Sequence, residues 1–184
     1  MLFWSVGMIA NVTVVDDEGL QGDKVTLRRA VLADMDAIVA IRAMPEVRQR
    51  WRGDDLAAEF IDDLNSTDLN LFVVLFDGEI VGGIQWSEET EPDYRHATMD
   101  IYLRPDMHGQ GIGSDAIRTL ANHLFNAHDH HRISIDPAAD NTAAIRCYAK
   151  VGFQPVGTMR QYERGPEGDW HDALLMDLLA HDLT

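Results

Sequence analysis

The chain has 184 residues, 46% hydrophobic and 25% charged, a balance that permits one globular domain with an ordinary core and argues against a disordered or fibrous chain. Its 15 basic and 31 acidic residues leave a net charge of -16, a field that repels polyanions, disfavours nucleic acid and favours a cationic partner. The single cysteine, Cys147, excludes an internal disulfide framework and a cysteine-rich zinc site, and implies a reducing, cytoplasmic setting.

Met1 to Ala10 is apolar but has no basic n-region and is too short to span a bilayer, so neither a signal peptide nor a membrane anchor is expected. Residues 1–23 read as a flexible leader and residues 24–184 as one domain. Val25 to Ala30 reads as a first strand, with Leu27 inward and the arginines outward. Asp34 is expected to cap a helix carrying Ile38, Ile41 and Arg42, which Pro45 interrupts. A second helix begins near Asp54, shows Leu56, Phe60, Ile61 and Leu64 on one face, and ends at Asn65-Ser66. Leu69 to Phe76 and Glu79 to Trp86 form a hairpin through Asp77-Gly78, and a third run, His96 to Leu103, ends before Pro105. The pattern then turns to a helix through Ile117, Leu120, Ala121, Leu124 and Phe125, and a short strand, Ile133 to Asp136. Asn141 caps a last helix that Gly152 terminates, and Phe153 to Met159 and Ala173 to Leu179 close the chain as strands.

Between the third strand and its helix lies His108-Gly109-Gln110-Gly111-Ile112-Gly113. Bare backbone amides and a helix dipole there suit an anion such as a diphosphate, with a plain tight turn as the alternative. A dinucleotide-binding unit is excluded by the antiparallel strands before the loop, and a P-loop by the missing lysine and hydroxyl pair.

The loop resembles motif A of the GNAT superfamily of N-acetyltransferases, Gln/Arg-x-x-Gly-x-Gly/Ala, at Gly111 and Gly113, with His108 standing where glutamine or arginine is usual. Asn141-x-x-Ala144-x-x-x-Tyr148-x-Lys150-x-Gly152-Phe153 is similar to motif B. The resemblance covers Val25 to Leu179. It implies an α/β (α+β) fold, a mixed central sheet of about six or seven strands with an antiparallel N-terminal meander and about four flanking helices. It also implies acetyl-CoA as cofactor, held by Ile101, Tyr102, Leu103, the loop from His108 through Gly109, Gln110, Gly111, Ile112 and Gly113 to Ser114, and Asn141.

An amine that attacks a thioester must lose a proton, so something beside it must accept one; Asp100, on the strand before the glycine loop, can do so or can be an edge-strand surface acid. Asp100, in Met99-Asp100-Ile101-Tyr102-Leu103, resembles the aspartate of Ile-Asp-Gln-Phe-Leu in aminoglycoside 6'-N-acetyltransferases, and the resemblance makes it the proton acceptor, directly or through water. It likewise makes Tyr148 the acid that protonates the departing thiolate, with a helix aromatic packed into the core as its other reading, and a main-chain N–H near Ile101 to Leu103 the donor to the developing oxyanion. Ile135 to Lys150 resembles the same subfamily, which places Asp136 against a substrate ammonium; a loop-capping turn before Pro137 is its other reading. Trp51 and Trp86 are candidate aminosugar contacts, or else core or rim tryptophans. His128, His130 and His131 lack metal-ligand spacing and read as a solvated turn, and Cys147 reads as packing.

The function implied is acetylation of a small cationic amine, the 6'-amine of an aminoglycoside antibiotic, by a monomer or homodimer. Gly165-x-x-Gly168-Asp169-Trp170-His171-Asp172 is also similar to ribosomal-protein N-acetyltransferases, which makes a peptide N-terminus the rival acceptor. A non-catalytic binder of acyl-CoA or of a cationic drug is the rival of a different class.

Overall fold

The computed structural model describes residues 19–165 and 167–184. Most of the N-terminal stretch read as a leader lies outside them, but Leu20–Gln21 forms a short strand, β1, paired antiparallel with β2 (Thr26–Arg29). Three helices follow: α1 (Met35–Arg42), the single turn α2 (Pro45–Arg48) and α3 (Leu56–Asn65). Then come β3 (Asn70–Phe76), β4 (Glu79–Glu89), β5 (His96–Leu103), α4 (Ile112–Asn126), β6 (Arg132–Ile135), α5 (Thr142–Val151), β7 (Gln154–Arg164) and β8 (Trp170–Leu179).

These strands make one eight-stranded sheet in the order β1-β2-β3-β4-β5-β6-β8-β7. Only β5 and β6 run parallel among the described strands. The class is as the sequence implied, with one strand more than expected because β1 pairs within the supposed leader, and one helix more because α2 is a fifth. Pro45 opens α2 rather than merely stopping α1, since a first-turn proline forfeits no helical bond. Asp77 and Gly78 both take positive φ, 50° and 81°, as a tight hairpin requires.

Alternation along the strands divides the core in two. Phe72, Val74, Ile84, Trp86, Met99 and Leu103 face α4 and α5, while Leu71, Val73 and Tyr102 face α1 and α3. Because both faces are covered, β3 is an unbroken apolar run. Asp34, expected to cap α1, instead accepts the Val31 N–H at 2.9 Å and both terminal nitrogens of Arg28 at 3.0 and 2.9 Å. Asp55 caps α3 and Asn141 caps α5, each through its side-chain oxygen.

Of the three histidines expected in a solvated turn, His131 is exposed, but His128 and His130 are not. His130 is buried, His128 half-buried, and both rings lie edge-on to the Trp86 indole, with centroids 4.7 Å away for His128 and 5.8 Å for His130. The loop after α4 thus packs two of its imidazoles against the Trp86 indole, a long-range contact that residue spacing does not reveal.

Candidate active site

Two features of β5 create the site. It pairs with β6 only at Ala97–Ile133 and Thr98–Ser134, after which the parallel strands diverge. On its other edge the Arg104 N–H donates to the Val81 carbonyl at 2.8 Å. Main-chain groups alternate in direction along an antiparallel ladder, so Asp100 and Tyr102 also turn theirs toward β4, whereas Ile101 and Leu103 turn theirs toward the gap β6 has left. Two amides thus face a cleft with no strand opposite. The Tyr102 amide, expected at the coenzyme, faces Gly83 instead, and its side chain belongs to the α1–α3 layer.

At the end of this strand the chain turns through Gly109 and Gly111 with φ of 74° and 83°, angles that glycine adopts without strain. The first bond of α4 runs from the Asp115 N–H to the Gly111 carbonyl at 3.0 Å, which leaves the amides of Ile112, Gly113 and Ser114 outside the helical ladder at its positive end. His108 turns its imidazole back, Nε2 donating to the Leu103 carbonyl at 3.3 Å. Gln110 donates to the Asp106 carbonyl at 2.6 Å. Both side chains brace the loop rather than fill it.

Asp100 is half-buried on the strand face opposite α4. Burial first, and then the charge of Asp136, push its carboxyl up to about 6, while a hydrogen bond from Gln85, its cross-strand partner, pulls the other way. Asp136 follows β6 directly and accepts the Tyr162 hydroxyl, an interaction that raises the phenol to about 12. Tyr162 rides on an irregular stretch of β7, where pairing with β8 lapses between Met159 and Glu163. There Gln161 holds φ at 52° and its N–H donates to Asp172 Oδ1 at 2.8 Å.

Tyr148 is buried on α5 and shares the field of Asp100 and Asp136; desolvation chiefly drives its phenol far above the usual range, so it keeps its proton. Asn141 Oδ1 accepts the Ala144 N–H at 3.2 Å. Cys147 Sγ lies 3.2 Å from Ser114 Oγ, which ties α5 to the start of α4, and burial raises its thiol. That thiol stays neutral, in keeping with packing.

Trp51 meets the Tyr102 ring edge-on at 4.7 Å and packs against the α1–α3 layer, on the strand face that Asp100 shares with Tyr102. Trp86 does not join it. Its neighbour Gln85 turns to Asp100, so the indole turns to the other face, 4% exposed in the α4 layer. Gln85 and Tyr162 are the members that sequence reasoning missed. The strand register offered a clue to Gln85, which falls opposite Asp100 once the Asp77-Gly78 hairpin is set; nothing local marked Tyr162. Among the described residues no group of three or more His, Cys, Asp or Glu could hold a metal ion, and no helix is long and apolar enough to cross a membrane.

A splayed parallel pair with free amides, continuous with a glycine-loop helix terminus, fits a long ligand carrying carbonyls at one end and phosphates at the other. Residues 38–153, more than half of the chain, match the acetyltransferase (GNAT) family. The aminoglycoside N(6')-acetyltransferase type 1 of Klebsiella pneumoniae is 27% identical over 156 residues, covering 74% of this chain and 77% of that protein. A kanamycin resistance protein of Rhizobium radiobacter is 38% identical over 77 residues, 42% of this chain and 70% of its own. Among solved structures, Mycobacterium smegmatis RimJ in complex with CoA-disulfide superposes with a TM-score of 0.75 at 25% identity, over 86% of this chain and 83% of that one. The aminoglycoside acetyltransferase AAC(6')-Ib with coenzyme A and kanamycin gives 0.71 at 26% identity, over 86% and 96%. The chain belongs to the GNAT acetyltransferase family and is an acetyl-CoA-dependent N-acetyltransferase.

Proposed function

We infer that the acceptor is the 6'-amine of an aminoglycoside. The observation that carries this reading is the pairing of Asp100 with Asp136, two carboxylates close enough for one to raise the proton affinity of the other. Such a pair is costly unless a ligand brings positive charge to both. A polyamine sugar does so, presenting one amine to Asp100 and a second ammonium to Asp136. The similarity to aminoglycoside acetyltransferases over most of the chain supports the same acceptor.

Acetyl-CoA supplies the activated acetyl carbon. The amides of Ile112, Gly113 and Ser114 receive its diphosphate, and the Asn141 side chain lies alongside its pantetheine arm. Asp100 takes the amine's proton. With its carboxyl near 6 it is mainly ionised at neutral pH, yet a stronger base than an ordinary aspartate. The Ile101 and Leu103 amides face the side where charge develops on the carbonyl oxygen, and one such donor contributes about 3 kcal/mol. Tyr148, held protonated by burial, donates a hydrogen bond to the leaving sulfur and so stabilises the departing thiolate. Trp51, set edge-on to Tyr102, flanks the sugar ring.

Thiol release from acetyl-CoA, measured with a kanamycin-like aminoglycoside, a polyamine such as spermidine, and peptides with free N-termini, tests the reading. Preference for the aminoglycoside, with acetylation at the 6' position, supports it. Preference for peptides overturns it in favour of N-terminal acetylation, and binding of coenzyme and drug without thiol release overturns it in favour of a non-catalytic binder.

A further inference from the structure

Coenzyme A is a polyanion, and the chain that admits it has a net charge of -16. The α4 terminus offers about half a positive charge, little against that field, so a cation at the glycine loop matters more here than in a neutral protein. The structure places one there. Asp115, in the first turn of α4, is 4% exposed. One of its oxygens accepts the N–H groups of Lys24 and Val25 at 2.7 and 3.0 Å, and the other accepts that of Asp23 at 3.2 Å. A buried carboxylate gripping three main-chain donors fixes the path of residues 23–25 against the start of α4, whatever side chain position 24 carries.

From that anchor Lys24 crosses back over the loop. Its Nζ donates to the Gln110 carbonyl at 2.7 Å and stands 3.2 Å from where a Cβ on Gly111 would lie. Its partner is a neutral carbonyl. The arginines that flank the loop in sequence are otherwise engaged: Arg104 by Asp106 at 2.8 Å and Glu79 at 3.7 Å, and Arg118 by the Thr184 carbonyl at 2.5 Å. Among the described residues no carboxylate pairs with the Lys24 ammonium, which stands beside the amides at the start of α4.

We propose that Lys24 is a coenzyme-binding residue, its ammonium held over the glycine loop by Asp115 and pairing with the diphosphate of acetyl-CoA. The assignment deepens the reading of the coenzyme site and rests on it. Lys24 lies outside both GNAT motifs, at the first residue the sequence assigned to the folded domain, where no motif marks it.

Calorimetric titration of the full chain and of its Lys24→Gln and Lys24→Arg variants with CoA and with dephospho-CoA tests the proposal, alongside rates with acetyl-CoA and with S-acetylpantetheine, which has no phosphate. Lys24→Gln is expected to weaken both CoA and dephospho-CoA about tenfold and to flatten the salt dependence of binding. The KM for acetyl-CoA rises with kcat unchanged, Lys24→Arg stays near the parent protein, and S-acetylpantetheine is used equally by all three. Equal CoA affinity in parent and Lys24→Gln overturns the assignment. So does a deficit that disappears with dephospho-CoA, because the cation then serves the 3'-phosphate, or one that persists with S-acetylpantetheine, because the effect is then structural. If the parent chain itself does not bind CoA, the coenzyme site fails first and Lys24 with it.

Discussion

Asp100 should set the pH dependence of turnover. A carboxyl raised from 3.8 to about 6 is roughly nine-tenths ionised at pH 7 and about one-tenth at pH 5, so kcat/KM should fall close to tenfold per pH unit below 6. Replacing Asp136 with asparagine removes a repulsion that helps hold the proton on Asp100. The acid limb should then move to lower pH, though not to the ordinary aspartate value, because burial remains the larger cause. Asp100→Asn should abolish the limb and cut turnover by about 10² to 10⁴ while the KM for acetyl-CoA changes little. The assay is initial-rate thiol release from pH 4.5 to 8, with the acceptor saturating and subsaturating. An acid limb that stays in place in Asp136→Asn, or survives in Asp100→Asn, refutes the assignment of Asp100 as the base.

The same raised carboxyl predicts that Asp100→Asn is the more stable protein. The folded state resists ionisation, so at pH 7 the variant should gain on the order of 1 to 3 kcal/mol, a gain that shrinks as pH falls from 6 toward 4, read by urea denaturation across pH. His130 gives the opposite slope. Burial and then Arg95 depress its imidazole to about 4 despite Glu88 at 3.1 Å, so stability is complete above 6.5 and falls as pH drops toward 4, by on the order of 3 kcal/mol. His130→Phe should flatten that acid slope relative to the parent chain. Asp115→Ala strips three main-chain N–H groups of their acceptor and should cost roughly 2 to 4 kcal/mol in denaturant melts. Gly152→Ala places a Cβ against the Asp182 carbonyl at a φ of 115° and should cost about 2 to 4 kcal/mol by the same measurement.

Local chemistry was what the sequence could disclose. Asp77-Gly78, Asn141 and Gly152 each encode their conformation within four residues, and the glycine loop announces a helix terminus by composition. What escaped depends on partners distant in the chain. Gln85 reaches Asp100 only through strand register, and Tyr162 reaches Asp136 because an irregularity in β7 re-aims it. Lys24 reaches Gln110 because Asp115 anchors its backbone. Trp86 misled for the same reason: its fate depends on which face of β4 it takes, and the turn to Gln85 settles that against the acceptor side. The edge strand β7 ran longer than its pattern suggested because backbone pairing with β8, not burial, holds most of it.

On the proposed reading, the gap between β5 and β6 brings an activated acetyl group to an amine held by Asp100. A crystal structure of Asp100→Asn with acetyl-CoA and kanamycin tests it most directly. The account predicts the diphosphate on the amides of Ile112 to Ser114, the thioester oxygen facing the Ile101 and Leu103 amides, and a 6'-nitrogen within hydrogen-bond reach of residue 100. A coenzyme lodged elsewhere, or a sugar seated away from Asp100 and Asp136, would contradict it.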